Sequence, residues 1–199
     1  MTVIGITGGT GAGKTTALEA IRELGGTVID CDAVYHDLTF KSRDMLNEID
    51  MTFPGVVQDG VLQRRELGKI VFSNDTLLLK LNEITHRYVK AEVSRIIEEQ
   101  RSAGGAIAAI DAIALFESGL SGLCNFTVCI TAPREIRARR IMAREGISYD
   151  YAVLRIGAQK DDAYFKDKCT YTLVNDFDTA DEFKNLCRKF FSEKVRCEK

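Results

Sequence analysis

The chain has 199 residues, with 27 Lys and Arg against 29 Asp and Glu for a formal charge of -2, so no overall basic field exists to attract nucleic acid or anionic lipid. A content of 45% hydrophobic and 28% charged residues excludes the signature of a disordered chain, and the length suits one core with insertions better than two independent domains. The start lacks the charged and apolar regions of a signal peptide, and no apolar run approaches the roughly 18 residues that would span a membrane. The expectation is a soluble cytoplasmic protein without nucleic-acid or membrane partners.

Val3 to Ile6 is a β-branched run feeding a glycine-rich turn, after which Ala17, Leu18, Ile21 and Leu24 recur at helical spacing until Gly25 and Gly26 stop them. Thr27 to Ile29 reads as a second strand. Asp30 and Asp32 follow it, where ligands bind in open α/β sheets, and as alternate residues of an extended segment they would face the same side. Residues 33–100 carry apolar positions at helical intervals, in Leu77 to Leu81 and through Tyr88, Val89, Val93, Ile96 and Ile97, which predicts a helical insertion. Ala106 to Ile110 is a third strand closed by Asp111. Phe126 to Ile130 is a fourth, with Thr131 as the expected N-cap of a helix and Pro133 in its first turn. Residues 137–168 are rich in Arg and Lys and broken by Gly146 and Gly157, as a mobile basic lid would be. Thr170 to Val174 supplies a fifth strand. Thr179 and Glu182 stand at capping-box spacing before Phe183, Leu186 and Phe190, expected on one docked face of a terminal helix.

Strands alternating with helices predict the α/β class, a parallel β-sheet core flanked by helices. The nucleotide-binding core would comprise residues 1–32, 101–136 and 169–199, the acceptor-binding insertion 33–100, and the lid 137–168. Six cysteines form no C-x-x-C pair and read as idle thiols.

Gly8 to Thr15 fits G-x-x-x-x-G-K-[ST], between a predicted strand and a predicted helix. In such a P-loop, glycines let backbone N–H groups turn toward phosphate oxygens, Lys14 reaches the β- and γ-phosphates, and the Thr15 hydroxyl ligates Mg²⁺. Asp111 closes its apolar strand as a Walker-B carboxylate would, and could hold the metal or cap the next element. No x-x-Gly follows Asp111 and no N-K-x-D occurs, which disfavours a switch GTPase. Asp32 is the better candidate for accepting a proton from an acceptor hydroxyl, with Asp30 second; the competing role for Asp32 is a helix N-cap. Arg137, Arg140 and Arg144 share a helix face by spacing, which suits either an anion or solvent. These features point to an ATP-dependent kinase for a small molecule.

With those residues placed, the chain resembles the dephospho-coenzyme A kinase family from about Thr2 to Asn175. The matching stretches are Ile4 through Thr16; Val28 to Asp32 with His36; Asp59 to Arg64 with Leu67; Ile70 to Phe72; and Ile84 to His86. Later come Asp111 with Leu115 to Glu117, Arg140 and Arg144, Arg155 with Ile156 and Gln159, and Leu173 to Asn175. The resemblance implies ATP-dependent phosphorylation of the ribose 3′-hydroxyl of dephospho-coenzyme A, the last step of coenzyme A synthesis. Another small-molecule kinase of the same fold, for a nucleoside or nucleotide, is the alternative. The resemblance further implies a donor site of Gly8, Gly11, Ala12, Gly13, Lys14, Thr15 and Thr16 with Arg144, and Asn175 near the adenine. It makes Lys14, Asp32 and Arg140 catalytic, gives Asp32, His36, Arg64, His86 and Glu117 to the acceptor, and Thr15 and Asp111 to Mg²⁺. Ile113 and Ala114 stand where Pro-Leu is common, Arg87 where Pro is usual, and Phe177 where glycine often follows the Asn.

Overall fold

The computed structural model describes residues 1–197. From the amino end run β1 (Thr2–Thr7), α1 (Lys14–Glu23), β2 (Thr27–Asp30), α2 (Cys31–Lys41), α3 (Arg43–Thr52), the short β3 (Val57–Gln58) and β4 (Val61–Leu62), α4 (Arg64–Val71) and α5 (Asp75–Ser102). There follow β5 (Ile107–Asp111), β6 (Phe126–Thr131), α6 (Arg134–Glu145), α7 (Tyr149–Gly157), α8 (Asp162–Lys168), β7 (Tyr171–Val174) and α9 (Ala180–Cys197). Two compact units result. One joins Met1–Ile29 to the chain from Glu99 onward, and the other is Asp30–Glu98.

The first unit is built on a five-stranded sheet of order β2-β5-β1-β6-β7. β1 is buried along its whole length, as a central strand covered on both faces must be. It pairs parallel with β5, Ile6 beside Asp111, and with β6, Thr7 beside Cys129; β6 in turn pairs parallel with β7. Parallel pairing brings the segments after β1, β5, β6 and β7 to one end of the sheet, where α/β folds place ligands. Ala17, Leu18 and Ile21 of α1 and Phe183, Cys187, Phe191 and Val195 of α9 pack with Ile4, Ile6, Val128 and Ile130 in a single core. The side chains of Phe183 and Phe191 are wholly buried, each worth about 1.5–3 kcal/mol of removal from water.

Two local expectations are corrected. Leu186 is 39% exposed; the buried face of α9 runs 183, 187, 191, 195, with Phe190 half-buried at its edge against Tyr171 and Phe191. Thr131 does not cap a helix. It is the last residue of β6, buried, with its hydroxyl unpartnered among the described residues, and Pro133 takes the N-cap place before α6. The capping box of α9 does form: the Glu182 N–H donates to Thr179 Oγ1 at 3.3 Å and the Thr179 N–H donates to Glu182 Oε2 at 3.2 Å.

The second unit has its own core of Met45, Leu46, Ile49, Phe53, Leu67, Val71 and Ile84 among others. It is helical except for the β3–β4 hairpin, which the helical reading of 33–100 passed over. Asp59 and Gly60 both have positive φ, 51° and 76°, the requirement of a two-residue type I′ turn. Arg87 on α5 pairs with Glu48 on α3, and Tyr88 Oη donates to the same carboxylate at 3.0 Å. That pairing is what the arginine provides where a proline is usual.

Candidate active site

Beyond β1 the chain turns through Gly8–Gly13 into α1, whose N-cap Gly13 has φ 104°. A Cβ there would also stand 2.2 Å from Asn175 Nδ2, so both backbone and space require glycine. Among the described residues no side chain caps α1, and its first turn holds no acid. Its leading N–H groups and positive dipole end are therefore open to an anion. Lys14 Nζ donates to Gly8 O at 3.4 Å and stands 3.9 Å from Asp111 Oδ1, a loose arrangement that leaves the ammonium able to reach a phosphate.

Gly9 to Gly11, Gly13, Lys14 and Thr15 line a cleft of about 370 Å³ together with Asp111, Ile113, Arg140, Arg144, Arg155 and Gln159. Four cationic residues thus line the cleft with Asp111, of which Lys14 stands 3.9 Å from its carboxylate, and such a cleft concentrates polyanions. Thr15 and Asp111 both line it, and side-chain oxygens of these kinds suit a hard divalent cation that takes its remaining ligands from phosphate and water.

Arg140 is held in place: Nη2 donates to Asn175 Oδ1 at 3.0 Å and to the Phe177 carbonyl at 3.2 Å. Burial, then repulsion from Arg139, lowers its pKa, yet a guanidinium stays charged at neutral pH. Asn175 is buried; its Nδ2 donates to Ala12 O at 2.9 Å and its N–H to Thr131 O at 2.7 Å. Its side chain is committed to bracing the P-loop and Arg140. Ala12 is likewise buried, and it is its carbonyl that is used. Phe177, where glycine is frequent, offers Arg140 its carbonyl and sets its ring 6.1 Å from that of Phe183. Arg144 and Arg155 share the Glu145 carboxylate at the surface, a pairing of small value to stability that solvent screens.

Arg137 departs from the anion-binding face expected by spacing. It is 4% exposed and lies against the P-loop: Nε donates to the Thr10 carbonyl at 2.9 Å and Nη1 to Asp162 Oδ1 at 3.0 Å. Gln159 Oε1 accepts from the Thr10 N–H at 2.7 Å. Thr10 occupies a variable place of the motif, so residue type gave no signal of this role. Arg155 and Gln159 were legible only as part of a family pattern.

In the unit Asp30–Glu98, Asp30 caps α2 by accepting the N–H groups of Asp32 at 2.9 Å and Ala33 at 3.1 Å. Asp32 therefore is not the cap. Nor do the two share an extended segment, because Asp32 lies in the first turn of α2, exposed. Arg64 Nη2 donates to Thr39 Oγ1 at 3.0 Å, and Thr39 donates to the His36 carbonyl at 2.7 Å, so Arg64 and His36 are brought together through Thr39. Arg64 also counters part of the upward shift that burial imposes on the Tyr35 hydroxyl. His86 is half-buried on α5. In the other unit Glu117 accepts from Tyr164 Oη, and Lys168 lies over the Phe116 and Tyr164 rings. Tyr164 is raised in pKa mainly by that hydrogen bond to Glu117.

The family model for dephospho-CoA kinase matches residues 2–181. A dephospho-CoA kinase of Carboxydothermus hydrogenoformans is 37% identical over 159 residues, 79% of this chain and 77% of that protein. Among solved structures, the dephospho-CoA kinase from Campylobacter jejuni superposes with a TM-score of 0.70 at 25% identity, over 99% of this chain and 98% of that one. A crystal structure from Thermus thermophilus superposes with a TM-score of 0.74 at 30% identity, over 96% and 97% of the two chains.

Proposed function

The chain belongs to the dephospho-CoA kinase family, and we propose that its P-loop cleft holds ATP while Asp32 prepares the ribose 3′-hydroxyl of dephospho-coenzyme A for attack. The protein is an enzyme that phosphorylates dephospho-CoA with ATP, the last step of coenzyme A biosynthesis. An ATP-using kinase works with a nucleotide-associated metal ion. Mg²⁺ is our assignment for it, with Thr15 and Asp111 as the protein oxygens that would hold it; when bound it would neutralise charge on the phosphates.

The observation that carries the donor assignment is the uncapped start of α1 opening on a cleft lined by Lys14, Arg140, Arg144 and Arg155. In phosphoryl transfer negative charge spreads over the γ-phosphoryl oxygens. Lys14, held only loosely, would reach toward that charge, and Arg140 would meet it already oriented because Asn175 and Phe177 fix its guanidinium, so it needs little reorganisation. Gly8, Gly11, Ala12, Gly13 and Thr16 would complete the phosphate cradle, with Asn175 as its brace. Residues 137–168 would act as the lid.

On the acceptor side, Asp32 is favoured because Asp30 already fulfils the capping role, leaving the Asp32 carboxylate to accept a proton. His36, Arg64, His86 and Glu117 are assigned to the acceptor, within residues 33–100 except for Glu117. The cytoplasm is the proposed compartment. The test is ADP release with dephospho-CoA, adenosine, AMP and shikimate offered in turn. Turnover with dephospho-CoA at least about a hundredfold above the others is expected; comparable turnover of a nucleoside or nucleotide would replace the substrate assignment.

A further inference from the structure

Arg137 is too deeply placed to touch a ligand in the cleft, yet it is costly for a cation to sit there. A buried guanidinium is tolerated when its N–H groups are bonded, and where packing alone is needed an apolar residue does as well. Here Nε and Nη1 are used, on the Thr10 carbonyl and Asp162, while Nη2 is buried without a hydrogen-bond partner among the described residues. That third nitrogen faces Gly9. A Cβ on Gly9 would stand 2.2 Å from Nη2 and 2.8 Å from Cζ.

Gly9 occupies a variable place of the P-loop motif, and its φ lies outside the left-handed range. Neither motif nor backbone demands glycine there; what a Cβ would meet is the guanidinium, which would have to shift. Thr10, the next residue, is bonded at its carbonyl to Arg137 and at its N–H to Gln159, and its hydroxyl accepts from Arg144 Nη2 at 3.5 Å.

We propose that Arg137 is a positioning residue for ATP, which by lying on Gly9 and bonding Thr10 sets the curve of the P-loop and, through Asp162, couples that loop to α8. The inference rests on the P-loop being the donor site. Arg137 does not touch the nucleotide; it fixes the backbone whose N–H groups do.

The test compares kcat, KM for ATP, KM for dephospho-CoA and melting temperature in Gly9→Ala, Arg137→Gln, Arg137→Lys and the Gly9→Ala/Arg137→Gln double variant. Each of the first two should raise KM for ATP about tenfold with KM for dephospho-CoA within about twofold of wild type. Arg137→Lys should recover part of the loss, since an ammonium can bond Thr10 but cannot fork to Asp162. The double variant should be no worse than the poorer single one, because the added methyl then meets no guanidinium; strict additivity would overturn the proposal. So would an unchanged KM for ATP in Arg137→Gln, or a fall in kcat and melting temperature with both KM values constant, which is what mere scaffolding gives. If Arg137→Gln does not fold, Asp162→Asn replaces it: a rise of about threefold in KM for ATP supports the coupling and no rise refutes it. Wild-type turnover with ATP, and its absence in Lys14→Ala, decides the donor-site reading separately from any of these results.

Discussion

Asp30 and Asp32 are two residues apart and chemically identical, yet their surroundings assign them different work that substitution can separate. Asp30 accepts two N–H groups of the first turn of α2, so Asp30→Ala removes an N-cap and should cost about 1 kcal/mol. For a chain of 199 residues that corresponds to a fall of about 2–4 °C in melting temperature. Asp30→Asn, which can still cap, should be close to neutral. Asp32 sits exposed in the first turn, where its charge is worth at most about 0.3–1 kcal/mol against the helix dipole. Asp32→Asn should therefore barely move the melting temperature, while turnover falls by about 10²–10⁴-fold if the carboxylate takes the proton of the acceptor hydroxyl. The loose transition state of phosphoryl transfer favours the lower part of that range. The assay is coupled ADP release under saturating ATP and dephospho-CoA, with calorimetric melting on the same samples. An Asp32→Asn enzyme keeping more than about half its turnover would refute the catalytic assignment.

Lys14→Ala should abolish transfer with the fold intact, because the lysine makes only loose contacts with Gly8 O and Asp111; near-normal turnover would remove it from the mechanism. Phe191→Ala should cost about 3–5 kcal/mol by opening a cavity in the shared core of α1, α9 and the sheet, and urea unfolding with a loss below about 1 kcal/mol would contradict that packing. The buried Cys187 thiol is pushed up by burial from 9.0 to about 12. Its folded pKa lies above the unfolded value, so its contribution to stability is complete below pH 9.0 and is lost as pH rises toward about 12. Cys187→Ala should flatten the alkaline fall in melting temperature over that window, and an unchanged slope would count against the assignment.

The sequence made the glycine-rich turn, the end of β5 and the start of α9 legible because their signals are local. The P-loop, Asp111 at a strand end and the Thr179–Glu182 capping box each depend on residues a few places apart, and each forms as expected. Misreadings came where neighbours distant in sequence decide. Helical spacing put Arg137 with Arg140 and Arg144, but periodicity cannot tell a face turned to a ligand from one buried under Thr10 and Asp162. Thr131 had the composition of a cap, and pairing with β7 kept it in the strand. The spacing of Asp30 and Asp32 suits an extended pair, but α2 begins at Cys31, two residues before the Ala33 start that an N-cap at Asp32 implies. The hairpin at 57–62 did have a signal, Asp59-Gly60 between two short apolar stretches, outweighed by the helical pattern around it. How Asn175 serves the site was beyond sequence, since its partners Ala12 and Arg140 lie in other elements.

The central claim is tested most directly by locating the phosphate on the product. With ATP and dephospho-CoA as the only substrates, ³¹P and ¹H NMR of the purified product should show one new phosphomonoester coupled to the ribose 3′-proton, formed in step with ADP. A phosphomonoester at the 2′ position, or ADP formed without any phosphorylated dephospho-CoA, would contradict it.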